Sequence, residues 1–90
     1  MQIDALLDLA KVYLIMGDYK SVTAVYGKLT ALRPDNADFF YDMGRVAINA
    51  NDTDTALLAF GRYLELAPDS PEAEQVQKWI DENTPGGVGQ

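Results

Sequence analysis

Phe40-Tyr41-Asp42-Met43-Gly44-Arg45-Val46-Ala47, with Ala56-Leu57-Leu58-Ala59-Phe60 after it and Pro68 to close it, decides how this chain folds. Moved back by 34 residues, the same stretch falls on Leu6 to Tyr13, then Val22 to Tyr26, then Pro34. Asp4 meets Asp38 at that offset, Asp8 meets Asp42, Val12 meets Val46, and Asp18 meets Asp52. Gly27 meets Gly61, Leu32 meets Leu66, Pro34 meets Pro68, and Asp35 meets Asp69. Lys11 and Arg45, Tyr26 and Phe60, and Lys28 and Arg62 are close substitutions in the same register. An internal period of this size marks a stacked architecture whose units cannot bury their apolar faces alone.

Apolar periodicity places helices within each unit. Ile3, Leu6, Leu9, Ala10, Tyr13 and Leu14 recur at three- and four-residue spacing and predict a helix from about Ile3 to Met16. Gly17-Asp18 is the turn, and a second helix from about Tyr19 to Leu32 carries Val22, Val25, Tyr26, Leu29 and Leu32. Arg33-Pro34 stops it, because the residue before proline is pushed out of the helical region. Asp35 or Asn36 is expected to cap a third helix that reaches about Ala50. Asn51-Asp52 forms the next turn, and Thr53 is the expected cap of a fourth helix from about Asp54 to Leu66. Ser70-Pro71-Glu72 reads as cap, first helical position and acidic first turn of a fifth helix, to about Asn83. Ala73, Val76, Trp79 and Ile80 form one side of that helix; Glu74, Gln75, Gln77, Lys78 and Asp81 are polar. Thr84 to Gln90 holds three glycines and a proline and is expected to be a disordered tail.

Spacing and residue types resemble the tetratricopeptide repeat, a helix–turn–helix unit of 34 residues. Its pattern falls on Phe40, Met43, Gly44, Ala47, Ala56, Phe60 and Pro68 in the second copy. In the first copy it falls on Leu6, Leu9, Ala10, Tyr13, Val22, Tyr26 and Pro34. Ala47 stands where Tyr is usual, and Val22, Leu29 and Tyr63 stand where Ala is usual. The resemblance implies an all-α solenoid: two repeats, about 3–36 and 37–70, and a capping helix, about 71–83, in one domain over 1–83. The residue sizes agree with it. Small residues at Ala10, Gly44 and Ala56 let helices approach, and Leu9, Tyr26, Met43 and Phe60 are expected to fill the space between them. Gly27 and Gly61 sit inside second helices, where glycine costs about 1 kcal/mol relative to alanine. Their recurrence marks either inherited duplication or the close approach of a backbone or a partner.

Composition narrows the function. Fourteen acidic and seven basic residues give a net charge of −7. That disfavours nucleic acid and anionic membrane as partners, since both require a basic face. The chain has no Cys and no His, so no thiolate site exists and the commonest general base and transition-metal ligand are missing. No basic segment followed by an apolar run opens the chain, so no signal peptide is expected. Gly86-Gly87-Val88-Gly89 precedes no helix that could offer its amides to phosphate. Asp4, Asp8, Asp38 and Asp42 could cluster around a hard cation only if their side chains converged, and no metal or cofactor is expected.

The resemblance also implies a concave groove lined by the first helices of successive repeats. Its positions fall on Asp4, Leu7, Asp8, Lys11, Leu14 and Ile15, and on Asp38, Tyr41, Asp42, Arg45, Ile48 and Asn49. The capping helix adds Glu72, Gln75, Val76 and Trp79. Leu7, Leu14, Tyr41 and Ile48 are apolar without being required by the helix-packing pattern. Leu7, Lys11, Leu14, Tyr41, Arg45, Ile48 and Asn49 are therefore the expected contacts for a protein partner, of neutral or basic character. One branch of the family grips a C-terminal carboxylate with basic residues. Here those positions hold Leu7, Lys11, Asp42, Glu72 and Val76, and the acids would repel such a group. The expected function is a non-catalytic interaction module that binds a peptide or partner helix. The alternative is a structural segment of a longer array, or a self-associating unit.

Overall fold

The computed structural model describes residues 2–85. Five helices follow in chain order: α1 (Gln2–Met16), α2 (Tyr19–Leu32), α3 (Ala37–Asn49), α4 (Thr53–Leu66) and α5 (Ala73–Asn83). Each packs on the next, giving two antiparallel hairpins and a closing helix in a body of 44 × 25 × 20 Å. Of the expected tail, Thr84 and Pro85 leave the helix, and 86–90 lie outside the described residues.

The two hairpin turns close with the same pattern of hydrogen bonds. Gly17 and Asn51 both take a positive φ, +74° and +59°. At each, the following amide reaches back five residues, Asp18 N to Tyr13 O and Asp52 N to Ala47 O, both at 2.9 Å. These bonds satisfy carbonyls that the helix end leaves open. Asp18 then accepts from the Ser21 amide at 3.2 Å and its hydroxyl at 2.7 Å. Asp52 accepts from the Thr55 amide at 3.1 Å and its hydroxyl at 2.6 Å. These bonds hold both carboxyls below the usual aspartate range.

Three expected caps are thereby resolved. Asp52, not Thr53, caps α4, because the turn leaves Asp52 just outside the helix and makes Thr53 its first residue. Asn36, rather than Asp35, caps α3 by accepting from the Phe39 amide at 3.1 Å. Ser70 does not cap α5. Its hydroxyl is 2.5 Å from the Tyr63 phenol, a buried group that would otherwise lack a partner. The helix starts later, at Ala73, without a side-chain cap.

Two apolar clusters share α3 between them. Ala10, Val22, Val25, Tyr26, Leu29 and Val46 form the first, joined by Ile3, Leu6, Leu7, Tyr13, Phe39 and Met43. Phe60, Tyr63 and Val76 form the second, joined by Phe40, Tyr41, Leu64, Trp79 and Ile80 among others. Gly44 lets α3 and α4 close up: a Cβ there would enter the van der Waals surface of the Phe60 ring. Leu9 departs from expectation. It fills no gap between helices but lies partly exposed, because α1 packs through Ile3, Leu6, Ala10 and Tyr13 instead.

Candidate functional site

α3 carries the best-defined part of the expected groove. Tyr41 lies between Phe60 and Tyr63, with ring centroids at 6.0 and 5.1 Å. Arg45 covers it, with Cζ 5.7 Å from the ring centroid, so the guanidinium faces the negative side of the aromatic quadrupole. Beside this pair Tyr41, Ile48, Phe60, Gln75, Val76 and Trp79 line a shallow cavity of about 190 Å³ between α3, α4 and α5. Trp79 meets Phe60 edge-on at 5.4 Å and closes the far wall. The site is thus an aromatic–aliphatic slot with a cation over the Tyr41 ring beside it.

The remaining expected contacts divide. Leu7 and Tyr41 are half-buried and belong to the two apolar clusters, so both are required by packing after all. Leu14 and Ile48 are partly exposed, and Lys11, Arg45 and Asn49 are exposed. Gln75 on α5 joins Tyr41 and Ile48 at one cavity.

The acids of this side behave differently from one another. Asp42 is half-buried, and burial pushes its carboxyl above the usual value. The Arg45 guanidinium opposes that rise, Asp38 adds to it, and the Tyr26 hydroxyl opposes it. The Tyr26 phenol is itself pushed up, first by burial and then by the Asp42 charge. Among the described residues no three acidic side chains converge to hold a metal ion. No described helix is long and apolar enough to cross a membrane.

An outer groove between α2 and α4 was not anticipated from the sequence. Met43 forms its floor, with cavities of about 570 and 580 Å³ to either side. Gly61, Leu57, Leu58 and Arg62 line one; Gly27, Lys20 and Thr23 line the other. The recurrent glycines were the available signal. Among the described residues, no backbone of another element approaches either one closely. A Cβ at Gly27 would meet only Met43 Cε at 3.9 Å, and one at Gly61 would meet nothing within 4 Å.

No curated protein matches the chain. A tetratricopeptide-repeat family model matches residues 13–80, from the second half of α1 into α5. That match spans most of the chain and agrees with two helix pairs, α1–α2 and α3–α4, related by a 34-residue offset and followed by α5. The chain belongs to the tetratricopeptide-repeat family, whose repeats generally mediate protein–protein interaction and are generally not enzymes.

Proposed function

We propose that this chain is a non-catalytic module that binds a peptide or a partner helix against the face formed by α1, α3 and α5. The observation that carries the reading is the slot at Tyr41. It pairs a partly open apolar cavity with an arginine already held in place by the ring beneath it. Side chains of this kind carry more than their share of interface energy, because little entropy remains to be lost on binding. An apolar side chain of the partner would enter between Ile48 and Trp79, while Lys11, Arg45 and Asn49 contact its polar groups.

Charge selects the partner. α1, α3 and α5 together carry more acids than bases, including Asp4, Asp8, Asp38 and Asp42. A neutral or basic segment with one apolar anchor fits this side. A segment ending in acidic residues and a free carboxylate does not, since the half-buried Asp42 would oppose it.

Panning a random peptide library on immobilised protein tests the proposal. Arg45→Ala/Ile48→Glu removes the cation over Tyr41 and puts a negative charge at the slot, at exposed positions that leave the core intact. Leu58→Glu places the same charge on the outer face. Peptides enriched on the wild type should lose at least tenfold in affinity with the first variant and none with the second. The opposite ranking would sink the assignment to the inner face.

A further inference from the structure

One residue belongs to both outer cavities. Met43 on α3 lines the space bounded by Gly61, Leu57 and Arg62, and also the space bounded by Gly27, Thr23 and Lys20. At about 570 and 580 Å³, either holds many times the roughly 30 Å³ that a water molecule occupies. Gly27 and Gly61 keep both approaches open. A Cβ at Gly27 would touch Met43 Cε at 3.9 Å, and one at Gly61 would stand in empty space within the cavity it lines. The Met43 side chain is thus half-buried yet open from two sides.

Its remaining side is closed. Met43 packs against the cluster that holds Tyr26, Leu29 and Val46, where the first repeat meets the second. Its sulfur lies 3.9 Å from the Thr30 hydroxyl. That hydroxyl is 3.0 Å from the carbonyls of both Tyr26 and Gly27, so its single hydrogen is engaged within α2. A thioether is a weak acceptor and asks little of such a neighbour. A sulfoxide oxygen is polar, and beside Thr30 it would find that hydrogen already used.

We propose that Met43 is an oxidation site, and that a hydroperoxide entering the outer groove modifies it. The sulfur lone pair attacks one oxygen of hydrogen peroxide. The S–O bond forms as the O–O bond breaks, and the departing hydroxide takes the proton of the transferred oxygen and leaves as water. The thioether loses two electrons and the peroxide gains them. The product sets a polar group into the joint between the repeats and loosens α3 from α2. Enzymatic reduction of methionine sulfoxide makes such a mark reversible. Met16 is the internal contrast. It is 66% exposed and belongs to neither apolar cluster, so it oxidises faster and leaves the fold unchanged. The reaction needs nothing from the Tyr41 slot, so it stands or falls independently of the inner-face reading.

Dilute hydrogen peroxide on the folded full chain, followed by peptide mass spectrometry and thermal melting, tests the site. Met16 should gain one oxygen first, and Met43 should follow while the chain keeps its helicity by circular dichroism. The melting temperature should hold through the first event and fall by at least about 4 °C with the second. Met43→Leu conserves volume and apolar character, and it should melt alike before and after treatment. Met16→Leu should lose stability on oxidation as the wild type does. Gly27→Leu/Gly61→Leu fills both approaches. It should slow oxidation of Met43 at least fivefold and leave that of Met16 unchanged. A Met43 that stays reduced in the folded chain, a melting temperature that does not fall with its conversion, the same fall in Met43→Leu, or an unaltered Met43 rate in the double glycine variant would overturn the proposal.

Discussion

The two repeats share a sequence template and differ in what surrounds them. Val12 and Val46 occupy one position of it, at 51% and 8% exposure. Their turns place Gly17 and Asn51 at the same left-handed position, and both close with equivalent hydrogen bonds. Local structure is thus set within each repeat, while burial is set by the neighbour. α3 lies between α2 and α4 and contributes to both apolar clusters, whereas α1 packs on α2 alone. A repeat of this kind is a full unit of backbone geometry and half a unit of core.

Substitutions can break or sharpen that contrast. The largest effect is expected at Gly44, which the template pairs with Ala10. Gly44→Leu would drive a side chain into Phe60 and should cost about 3 kcal/mol in urea unfolding. A cost under about 1 kcal/mol would mean the α3–α4 contact is looser than described. Next, Val46→Ala should cost about 2 kcal/mol and Val12→Ala less than about 0.5 kcal/mol. Equal costs, measured at concentrations where the chain is monomeric, would erase the distinction between covered and uncovered faces. Gly61→Ala should go the other way and stabilise by about 0.5–1 kcal/mol, since a methyl there meets nothing and the helix gains propensity. A lower melting temperature would reveal a close approach at that groove.

The smallest effect concerns Asp42. Its folded carboxyl titrates above the ordinary aspartate value of 3.8, so folding disfavours the charged form. Below 3.8 the group is protonated in both states and costs nothing. As pH rises through the unfolded and then the folded value, stability falls. Asp42→Asn should therefore stabilise at neutral pH, by roughly 0.3 kcal/mol for a half-exposed group screened by water. Asp18 and Asp52 have the opposite sign: their capping contribution is complete above 3.8 and is lost as pH falls through the lowered folded values. The acid limb of the wild-type stability curve should thus steepen in Asp42→Asn.

Much of this was legible in the residues. The period, the bounds of α2 and the left-handed turns at Gly17 and Asn51 follow from pattern and turn chemistry. The caps were harder, because several residues near each helix start can accept an amide bond. Asp52 and Thr53 compete on paper, and only the turn decides. Ser70 looked like a cap because sequence does not reveal that Tyr63 has a buried phenol beside it. Leu9 looked like core because periodicity shows that a face is apolar, not whether a neighbour exists to cover it. For the candidate site, charge and position were readable, but the stacking of Arg45 on Tyr41 and the wall supplied by Trp79 required α5 in place. The outer groove required the distance between α2 and α4, of which Gly27 and Gly61 were the only trace.

Amide chemical-shift mapping, with a peptide enriched on the wild type titrated into labelled protein, tests the central claim most directly. The account predicts shifts concentrated at Lys11, Leu14, Arg45, Ile48, Asn49 and Gln75, with Arg45 Nε–H moving as the slot fills. Shifts concentrated at Leu57, Leu58, Gly61 and Arg62 would place the working surface in the outer groove and contradict it.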